Sequence, residues 1–492
     1  MILAIDQGTT STRVMIFDEK GSVRGRGQVD LPQHYPKPGW VEHDPEDIWQ
    51  TTVQAVRLAL QDGNIDATSL RAIGISNQRE TTVVWNRRTG QPVYPAIVWQ
   101  DRRTAAMCAE LSAAGLGDEV RRRTGLIIDP YFSATKIRWI LDHVEGAQRE
   151  AELGHLAFGT VDSWLIWKLT GGNAHMTDYT NASRTLLLDI HKREWDGLLL
   201  ERLRIPRSMM PQVKFSSVLY GMTNCPDLFP KPRQISGVAG DQQAALYGQF
   251  AFDRGQAKVT YGTGCFLLQH TGAKAPISEH GLLTTIAVDR HGGPAYALEG
   301  AVFNAGSAVQ WLRDGLGVIA NAAESEAYAT QVPDTLGVYV VPAFTGMGAP
   351  YWNASMRGSI FGLTRGAARH HVIRATLESI AYQAADVLDV LASDSAAPLP
   401  QLHVDGGAAR NNFLMQFQAD ILGVPVIRPV MLETTAAGAA LLAGLGAGVW
   451  NSPQQATGLA ERDRVFEPAM DADRREALRA GWRRAVQAAA AF

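Results

Sequence analysis

The segment AIDQGTTSTRVMIF, residues Ala4 to Phe17, places an aspartate, a glycine and a run of hydroxyls between two apolar stretches. ILAID predicts a β-strand, QGTTS a turn, and TRVMIFD a second strand that returns beside the first. Backbone N–H groups and short hydroxyl side chains in such a turn form a concave set of donors for phosphate oxygens. Asp6 would repel phosphates unless a divalent cation stood between them, and Mg²⁺ suits that position. The hairpin therefore predicts a magnesium-nucleotide site; the alternative is an ordinary tight turn, in which aspartate is also common.

Two further glycine elements favour the nucleotide interpretation. GQAKVTYGTGCFLLQHTG, residues 255–272, predicts another strand–turn–strand hairpin. VDGGAARNNF, residues 404–413, predicts a strand that runs through glycines into a helix. Two glycine-threonine hairpins on duplicated α/β domains can hold a polyphosphate from both sides. The P-loop pattern GxxxxGK[ST] and a strand-linked GxGxxG are absent, so those two phosphate-binding motifs are excluded.

Length and composition indicate two large α/β domains and a small partner. The chain has 492 residues, of which 46% are hydrophobic, and one core rarely exceeds about 250–300 residues. DPEDIWQTTVQAVRLALQDG, residues 44–63, predicts a helix that Asp44 caps, Pro45 begins and Gly63 ends. Strands mixed with helices of this length are typical of α/β domains. The net charge of −3 provides no basic field for nucleic acid or an acidic membrane surface.

Other features predict a cytoplasmic protein that is not inserted in a membrane. Three scattered cysteines, Cys108, Cys225 and Cys265, fit buried thiols in a reducing compartment better than a disulfide framework. The N-terminus lacks the charged lead of a secretory signal. Thr434 to Trp450 is apolar but too short for a membrane span and rich in small residues, so it predicts a packed interior helix ending at a glycine cluster.

Motifs along nearly the whole chain resemble those of the FGGY family of carbohydrate kinases. They are YPKPGWVEHDP (35–45), NQRETTVVW (77–85), AIVWQDRRT (96–104), GDQQAALYGQ (240–249), YGTGCF (261–266) and DGGAARNNFLMQFQADILG (405–423). YFSATKIRWILDH (131–143) and GSIFGLTRGAARHHVIRATLE (358–378) resemble the two signatures by which the family is recognised. The resemblance implies two duplicated actin-like, ribonuclease H-like α/β domains, the hexokinase-like ATPase fold, with a cleft between residues 1–250 and 251–492. It also implies a homo-oligomer, a dimer or tetramer.

NQRETT and GDQQ are similar to the motifs of family members that phosphorylate glycerol to sn-glycerol 3-phosphate, the first step of glycerol catabolism. The resemblance implies that Arg79 and Glu80 grip two hydroxyls and that Asp241 is the catalytic base. A triol needs hydrogen-bonding groups and an apolar wall. The implied acceptor site supplies both, from Arg79, Glu80, Trp99, Tyr131, Asp241, Gln242 and Phe266.

The resemblance further implies ATP as co-substrate, ADP as product and Mg²⁺ as cofactor. The first phosphate-binding turn of the family is matched by Thr9, Thr10, Ser11 and Arg13, and the second by Thr263. The positions that contact the rest of the nucleotide are matched by Gly306, Gln310, Gly407 and Asn411. The magnesium-associated carboxylate, which acts through water, is matched by Asp6. Taken singly, each residue has a structural explanation: a solvated ion pair, a core aromatic or a helix cap. His370-His371 is interpreted as helix-start structure, since no metal-binding spacing occurs.

Two alternatives stay open on the sequence. One is a kinase for another polyol or a pentose, which would need a wider pocket than three aromatic side chains leave. The other is a non-kinase actin-like ATPase, a filament protein or chaperone motor. That alternative leaves Arg79, Glu80 and Asp241 without an acceptor to bind, so a glycerol-dependent rise in ADP production separates the two.

Overall fold

The computed structural model describes residues 1–492. Residues 1–248 contain fourteen strands and nine α-helices. The strands are β1 Ile2–Gln7, β2 Ser11–Phe17, β3 Val23–Asp30, β4 Glu42–His43, β5 Ala72–Asn77, β6 Val83–Asn86, β7 Ala96–Ile97, β8 Leu156–Gly159, β9 Met176–Asp178, β10 Leu188–Asp189, β11 Glu194–Trp195, β12 Gln212–Lys214, β13 Gly221–Met222 and β14 Gln234–Gly240. The helices are α1 Pro45–Asp62, α2 Ala105–Ala113, α3 Gly117–Thr124, α4 Ser133–His143, α5 Ala147–Glu152, α6 Val161–Leu169, α7 Tyr179–Ala182, α8 Gly197–Arg202 and α9 Asp241–Gly248.

The remainder of the chain contains nine strands and six α-helices. The strands are β15 Ala257–Tyr261, β16 Cys265–Gly272, β17 Leu283–Val288, β18 Pro294–Val302, β19 Tyr339–Val341, β20 Ser359–Phe361, β21 Leu402–Asp405, β22 Val426–Pro429 and β23 Arg462–Phe466. The helices are α10 Gly306–Asp314, α11 Glu324–Ala329, α12 Arg369–Ser395, α13 Asn412–Leu422, α14 Thr434–Gly446 and α15 Ala472–Ala491.

Two large sheets repeat one topology. The first has the strand order β13-β14-β5-β1-β2-β3, and the second β17-β18-β16-β15-β21-β22-β23. In the first, β1, β2 and β3 form an antiparallel meander while β5 and β14 run parallel to β1. In the second, β15, β16 and β18 form the meander, and β21 and β22 run parallel to β15. The prediction of a duplicated α/β fold is confirmed.

Both predicted hairpins form at the centres of these sheets. β1 pairs with β2 in an antiparallel register that sets Asp6 opposite Arg13, and β15 pairs with β16 around the exposed turn at Gly262 and Thr263. Because both hairpins begin the meander of their sheet, their turns occupy equivalent places in the two domains.

The third strand of the first meander, β3, contains the sequence RGRG, for which no element was predicted. Its arginines, Arg24 and Arg26, are exposed, while its glycines face α1. A side-chain carbon added at Gly27 would overlap the carbonyl oxygen of Ala55. The glycine thus allows α1 to pack directly on this edge strand.

Helix α1 starts as the sequence predicts. The Asp44 carboxylate accepts a hydrogen bond from the backbone N–H of Glu46, Pro45 is the first helical residue, and Gly63 is the C-cap. The predicted role of the His370-His371 pair also holds, because His371 Nδ1 accepts a hydrogen bond from the N–H of Ala368 at the start of α12.

Helix α14 joins the two domains. It belongs in sequence to the second, yet it packs on β14, β5 and β1 of the first sheet and on α9. Most of its residues are buried small side chains, and a carbon added at Gly438 would overlap the carbonyl of Ala244 in α9. The interior helix predicted for this segment is confirmed. No helix of the structure is both long and apolar enough to cross a membrane.

Candidate active site

The first hairpin turn is held rigidly but keeps its donors available. The Gly8 N–H donates to Ser11 O at 3.0 Å, and Trp99 Nε1 donates to Thr9 Oγ1 at 2.9 Å. Thr10 is exposed, and Ser11 is half-buried. The turn is therefore preorganised, and its outer face is open to an anion.

A layer of polar side chains supports this turn from below. Gln33 Nε2 donates to Thr9 O at 2.7 Å, and Gln78 Nε2 donates to Gly8 O at 3.1 Å. Between the two glutamines lies His43, with Nε2 2.9 Å from Gln33 Oε1 and Nδ1 3.4 Å from Gln78 Nε2. The VEHDP and NQRETT motifs thus meet beneath the first hairpin turn.

His43 provides a test of this layer. It is fully buried, and burial, helped by nearby His34, lowers its pKa to about 4, against about 6.5 in the unfolded chain. Since the unfolded state binds this proton more tightly, the stabilising contribution of a neutral His43 is complete above pH 6.5 and is lost as the pH falls toward 4. From pH 7 to pH 5, the wild type is expected to lose about 2 kcal/mol of unfolding free energy relative to His43→Gln. Denaturant titration of both proteins measures this; a difference that does not change with pH would contradict it.

Asp6 lies near the end of β1, close enough to Asp241 for their charges to interact. Burial raises its pKa to about 7; Arg13 opposes that rise, and the nearby Asp241 and Glu433 add to it. No cationic group lies within ion-pair distance of Asp6. A carboxylate with no direct ion-pair partner fits water-mediated binding of a hard divalent ion such as Mg²⁺.

Arg13, on β2, bridges the domains in this structure. Its guanidinium forms an ion pair with Glu433, the residue that precedes α14, and donates to Gln28 Oε1 at 3.1 Å through both Nε and Nη2. The side chain remains 30% exposed. Arg13 therefore lies at the edge of the first hairpin turn with its charge partly offset.

The predicted acceptor residues converge on Arg79. Its Nε lies 3.1 Å from Asp241 Oδ1 and 3.7 Å from Glu80 Oε1. Arg79 and Glu80 are almost fully buried, whereas the Asp241 side chain is 32% exposed. Glu80 has a φ of 61°, which is rare for a non-glycine residue, and such strain persists where surrounding contacts fix a functional side chain. The Arg79-Glu80 pair is a buried constellation rather than a solvated ion pair.

Two charged residues complete this cluster and were missed in the sequence. Glu299, on β18, accepts hydrogen bonds from Arg79 Nη1 at 2.5 Å and Nη2 at 2.9 Å. Arg184, after α7, donates from Nε to Glu80 Oε1 at 2.6 Å and from Nη2 to Glu299 Oε1 at 3.1 Å. The only signal was a single charge in each of the apolar runs AYALEGAV and ASRTLLL, which does not identify a partner.

The aromatic side chains separate into two groups. Trp99 and Tyr131 form a T-shaped pair with ring centroids 5.6 Å apart, and Trp99 also contacts the first hairpin turn through Thr9. Phe266, half-buried on β16 opposite Ala301, makes no ring contact with that pair. The apolar wall predicted from three aromatics therefore consists of one packed pair and one separate ring.

Gln242 is oriented by a buried lysine that was also missed. Lys258 Nζ, on β15, donates to Gln242 Oε1 and, at 2.7 Å, to Thr260 Oγ1. Burial lowers the pKa of Lys258 to about 8, against the opposing effect of Asp405 and other carboxylates. Because the lysine occupies Oε1, the amide NH₂ of Gln242 is the group available for a ligand.

The remaining predicted nucleotide residues lie in the second domain. Thr263 forms the exposed second turn, and its carbonyl accepts from the N–H groups of Ala305 and Ser307 at 3.0 Å each. Gly306 begins α10, and its N–H donates to Gly262 O at 3.0 Å. The structure therefore joins the second turn directly to the start of α10.

The other three residues have different surroundings. Gln310 on α10 is exposed, and Gly407 faces open space. Asn411 caps α13 by accepting from the Leu414 N–H at 2.9 Å, while its Nδ2 donates to Ser325 Oγ at 3.3 Å. The Asn411 side chain thus has a structural role, and its contact with the nucleotide stays a prediction.

Comparison with known proteins gives this constellation a family. The N-terminal domain of the FGGY family of carbohydrate kinases matches residues 1–248, and its C-terminal domain matches residues 257–447. The chain belongs to the FGGY family of carbohydrate kinases. Its two-domain fold, and its class as an enzyme, follow from this membership.

Several FGGY kinases are similar over their whole length. A glycerol kinase of Carboxydothermus hydrogenoformans is 58% identical over 485 residues, covering 99% of this chain and 97% of that protein. Glycerol kinase 2 of Pseudomonas aeruginosa is 58% identical over 486 residues, covering 99% and 96%. Among solved structures, Plasmodium falciparum glycerol kinase with ADP has a TM-score of 0.93 at 38% identity, covering 99% of this chain and 98% of that one. A xyloylose kinase from Brucella ovis has a TM-score of 0.86 at 25% identity, covering 99% and 98%.

Proposed function

We propose that the protein transfers the γ-phosphoryl group of ATP to a terminal hydroxyl of glycerol, giving sn-glycerol 3-phosphate and ADP. The observation that carries this proposal is the cluster of buried Arg79 and Glu80 beside the partly exposed Asp241, in which Glu80 Oε2 and Asp241 Oδ2 accept no hydrogen bond from the protein. The similar proteins named glycerol kinase, at 58% identity, support the choice of acceptor.

Asp241 is the proposed base. Its Oδ1 accepts from the Gln242 N–H at 2.7 Å and faces Arg79 Nε at 3.1 Å. No protein donor contacts Oδ2, and the side chain is part exposed, so Oδ2 can accept the proton of an incoming hydroxyl. Phosphoryl transfer depends chiefly on positioning and charge stabilisation, and Asp241 contributes by directing one hydroxyl oxygen toward the phosphoryl group.

Arg79 and Glu80 are the proposed anchors for the other hydroxyls. Glu80 Oε1 is taken by Arg184, whereas no protein donor contacts Oε2. Of the five N–H donors of Arg79, three form hydrogen bonds to Glu299 or Gln243, Nε lies within ion-pair distance of Asp241, and one donor on Nη2 is free. One free acceptor and one free donor match one hydroxyl each. An acceptor that lacks either hydroxyl leaves a buried polar group unpaired.

The nucleotide is proposed to lie between the two hairpin turns. The residues that would contact it are those predicted above: Thr9, Thr10, Ser11 and Arg13 from the first domain, and Thr263, Gly306, Gln310, Gly407 and Asn411 from the second. Asp6 would hold Mg²⁺ through water, and the ion would supply charge neutralisation at the phosphates. Closure of the domains would exclude water from the transfer.

Product analysis tests the function. With ATP and Mg²⁺, ADP formation is expected to depend on glycerol, and the product should be the single enantiomer sn-glycerol 3-phosphate, identified with a stereospecific dehydrogenase. Xylulose supplied in place of glycerol is the matched control for a pentose kinase. Glycerol-independent ADP formation would favour a non-kinase ATPase, and preferential turnover of xylulose would favour the pentose alternative.

Three further features remain part of the proposal. They are a boundary between domains at residues 250 and 251, a cytoplasmic location and assembly as a homo-oligomer, either dimer or tetramer.

A further inference from the structure

Glu299 is a carboxylate of the second domain that lies in the acceptor site of the first. It is 2% exposed on β18 and binds Arg79 through both of its oxygens. We propose that Glu299 is a positioning residue for the phosphorylation of glycerol: it sets the guanidinium of Arg79 in the one orientation that serves both Asp241 and the acceptor. This inference rests on the proposed function.

The bidentate geometry determines which edge of Arg79 faces the site. Two N–H groups on the Nη edge point to Glu299, so Nε is left to face Asp241 Oδ1 at 3.1 Å. A guanidinium is planar and its donors form a fixed fork, so one bidentate partner fixes the direction of all five N–H groups. The free Nη2 hydrogen is thereby aimed as well.

The charges of the cluster explain why a carboxylate is needed there. Arg79 and Arg184 are both buried, and Glu80 alone could offset only one of them. Burial would raise the pKa of Glu299, but Arg184 and Arg79 lower it to about 2, so it is ionised. The two buried arginines thus face two buried glutamates, although burial raises the pKa of Glu80 against the effect of Arg79 and Arg184. Without Glu299, Arg79 would have Asp241 and Glu80 as its carboxylate partners and would compete for the oxygens that the hydroxyls need.

Glu299 also links the acceptor site to the second domain. Arg79 and Asp241 come from the first sheet region, while Glu299 comes from β18 of the second sheet, next to β16 with its phosphate turn. Arg79 therefore reaches its working orientation only when the second domain is in place. The acceptor site and the second phosphate turn are coupled through this ion pair.

Steady-state kinetics of Glu299→Gln test the inference, with wild type assayed alongside. The variant is expected to raise the KM for glycerol at least about 10-fold while the KM for ATP changes less than about twofold. Glu299→Asp, which keeps the charge, is expected to recover part of the loss. Glu378→Gln is the matched control: Glu378 is also buried in the second domain and paired with an arginine, Arg374, but lies outside the site. It is expected to lower stability without changing the KM for glycerol.

A double variant separates positioning through Arg79 from a direct role. In an Arg79→Lys background the fork is absent, so adding Glu299→Gln should change the KM for glycerol far less than it does in the wild type. If Glu299→Gln does not fold, Glu299→Asp carries the test alone, since the shorter side chain must also displace Arg79. The inference would be overturned if a soluble Glu299 variant had the same kcat and the same KM for glycerol as the wild type. It would also be overturned if the effects of the two substitutions on the KM for glycerol were fully additive in the double variant. Failure of the wild type to phosphorylate glycerol would instead overturn the proposed function.

Discussion

Asp241→Asn is expected to lower kcat for glycerol phosphorylation by about 10³-fold, within the range that general-base catalysis contributes. The substitution keeps the shape of the side chain and the contact of Oδ1 with the Gln242 N–H, but it replaces the free Oδ2 acceptor by an amide NH₂ that cannot take a proton. It also removes the negative charge beside Arg79 Nε. ATP affinity should be unchanged or slightly higher, because a carboxylate near the phosphates has been removed.

The measurement combines steady-state kinetics with calorimetric titration of ATP. The kinetic loss should fall on kcat and kcat/KM alike, which is the pattern of an interaction made in the transition state. Asp178→Asn is a matched control, because Asp178 is a buried carboxylate of the same domain whose hydrogen bonds go to Thr180, Asn181 and Ser216 rather than to the acceptor site. Near-normal turnover of Asp241→Asn would remove Asp241 from the role of base.

Glu80→Gln is expected to lower kcat/KM for glycerol by about 10²-fold or more, with at least half of the free-energy loss in KM. Glu80 Oε2 accepts no hydrogen bond from the protein, so it is the group available for a hydroxyl, and the amide of glutamine has only one acceptor oxygen in place of two. The substitution also leaves Arg184 Nε, 2.6 Å from Oε1, facing a neutral partner.

A comparison of two acceptors sharpens this prediction. Propane-1,2-diol lacks one terminal hydroxyl of glycerol and should lose less from Glu80→Gln than glycerol does, if the missing hydroxyl is the one that Glu80 binds. An equal loss of kcat/KM for both acceptors would mean that Glu80 has only a structural role. A loss confined to kcat would mean that Glu80, rather than Asp241, is the base.

The parts of the fold that the sequence predicted are those set by local chemistry. Apolar stretches on both sides of the QGTTS turn predict a strand, a tight turn and a returning strand around Asp6. The same pattern recurs around Thr263, so both hairpins could be recognised. The helix signals at Asp44 and Gly63 are equally local. Thr434 to Trp450 was predicted as an interior helix because it is too short for a membrane span and rich in small residues, and the structure forms the helix over Thr434–Gly446.

What the sequence could not predict depends on contacts between distant segments. β3 is a strand because its glycines admit α1, and no local pattern reports that approach. Glu299 and Arg184 are each an isolated charge in an apolar run, and their meaning appears only when β18 and the segment after α7 meet Arg79. Lys258 was missed for the same reason, since its partner Gln242 lies on a different element.

The most direct test of the account is a crystal structure of the protein with glycerol and a non-hydrolysable ATP analogue. We expect one terminal hydroxyl oxygen within about 3.2 Å of Asp241 Oδ2, in line with the γ-phosphorus. The other hydroxyls should contact Arg79 and Glu80, and the carbon chain should lie against Trp99 and Tyr131. Glycerol bound away from Arg79 and Glu80, or with no hydroxyl directed at Asp241, would contradict the account.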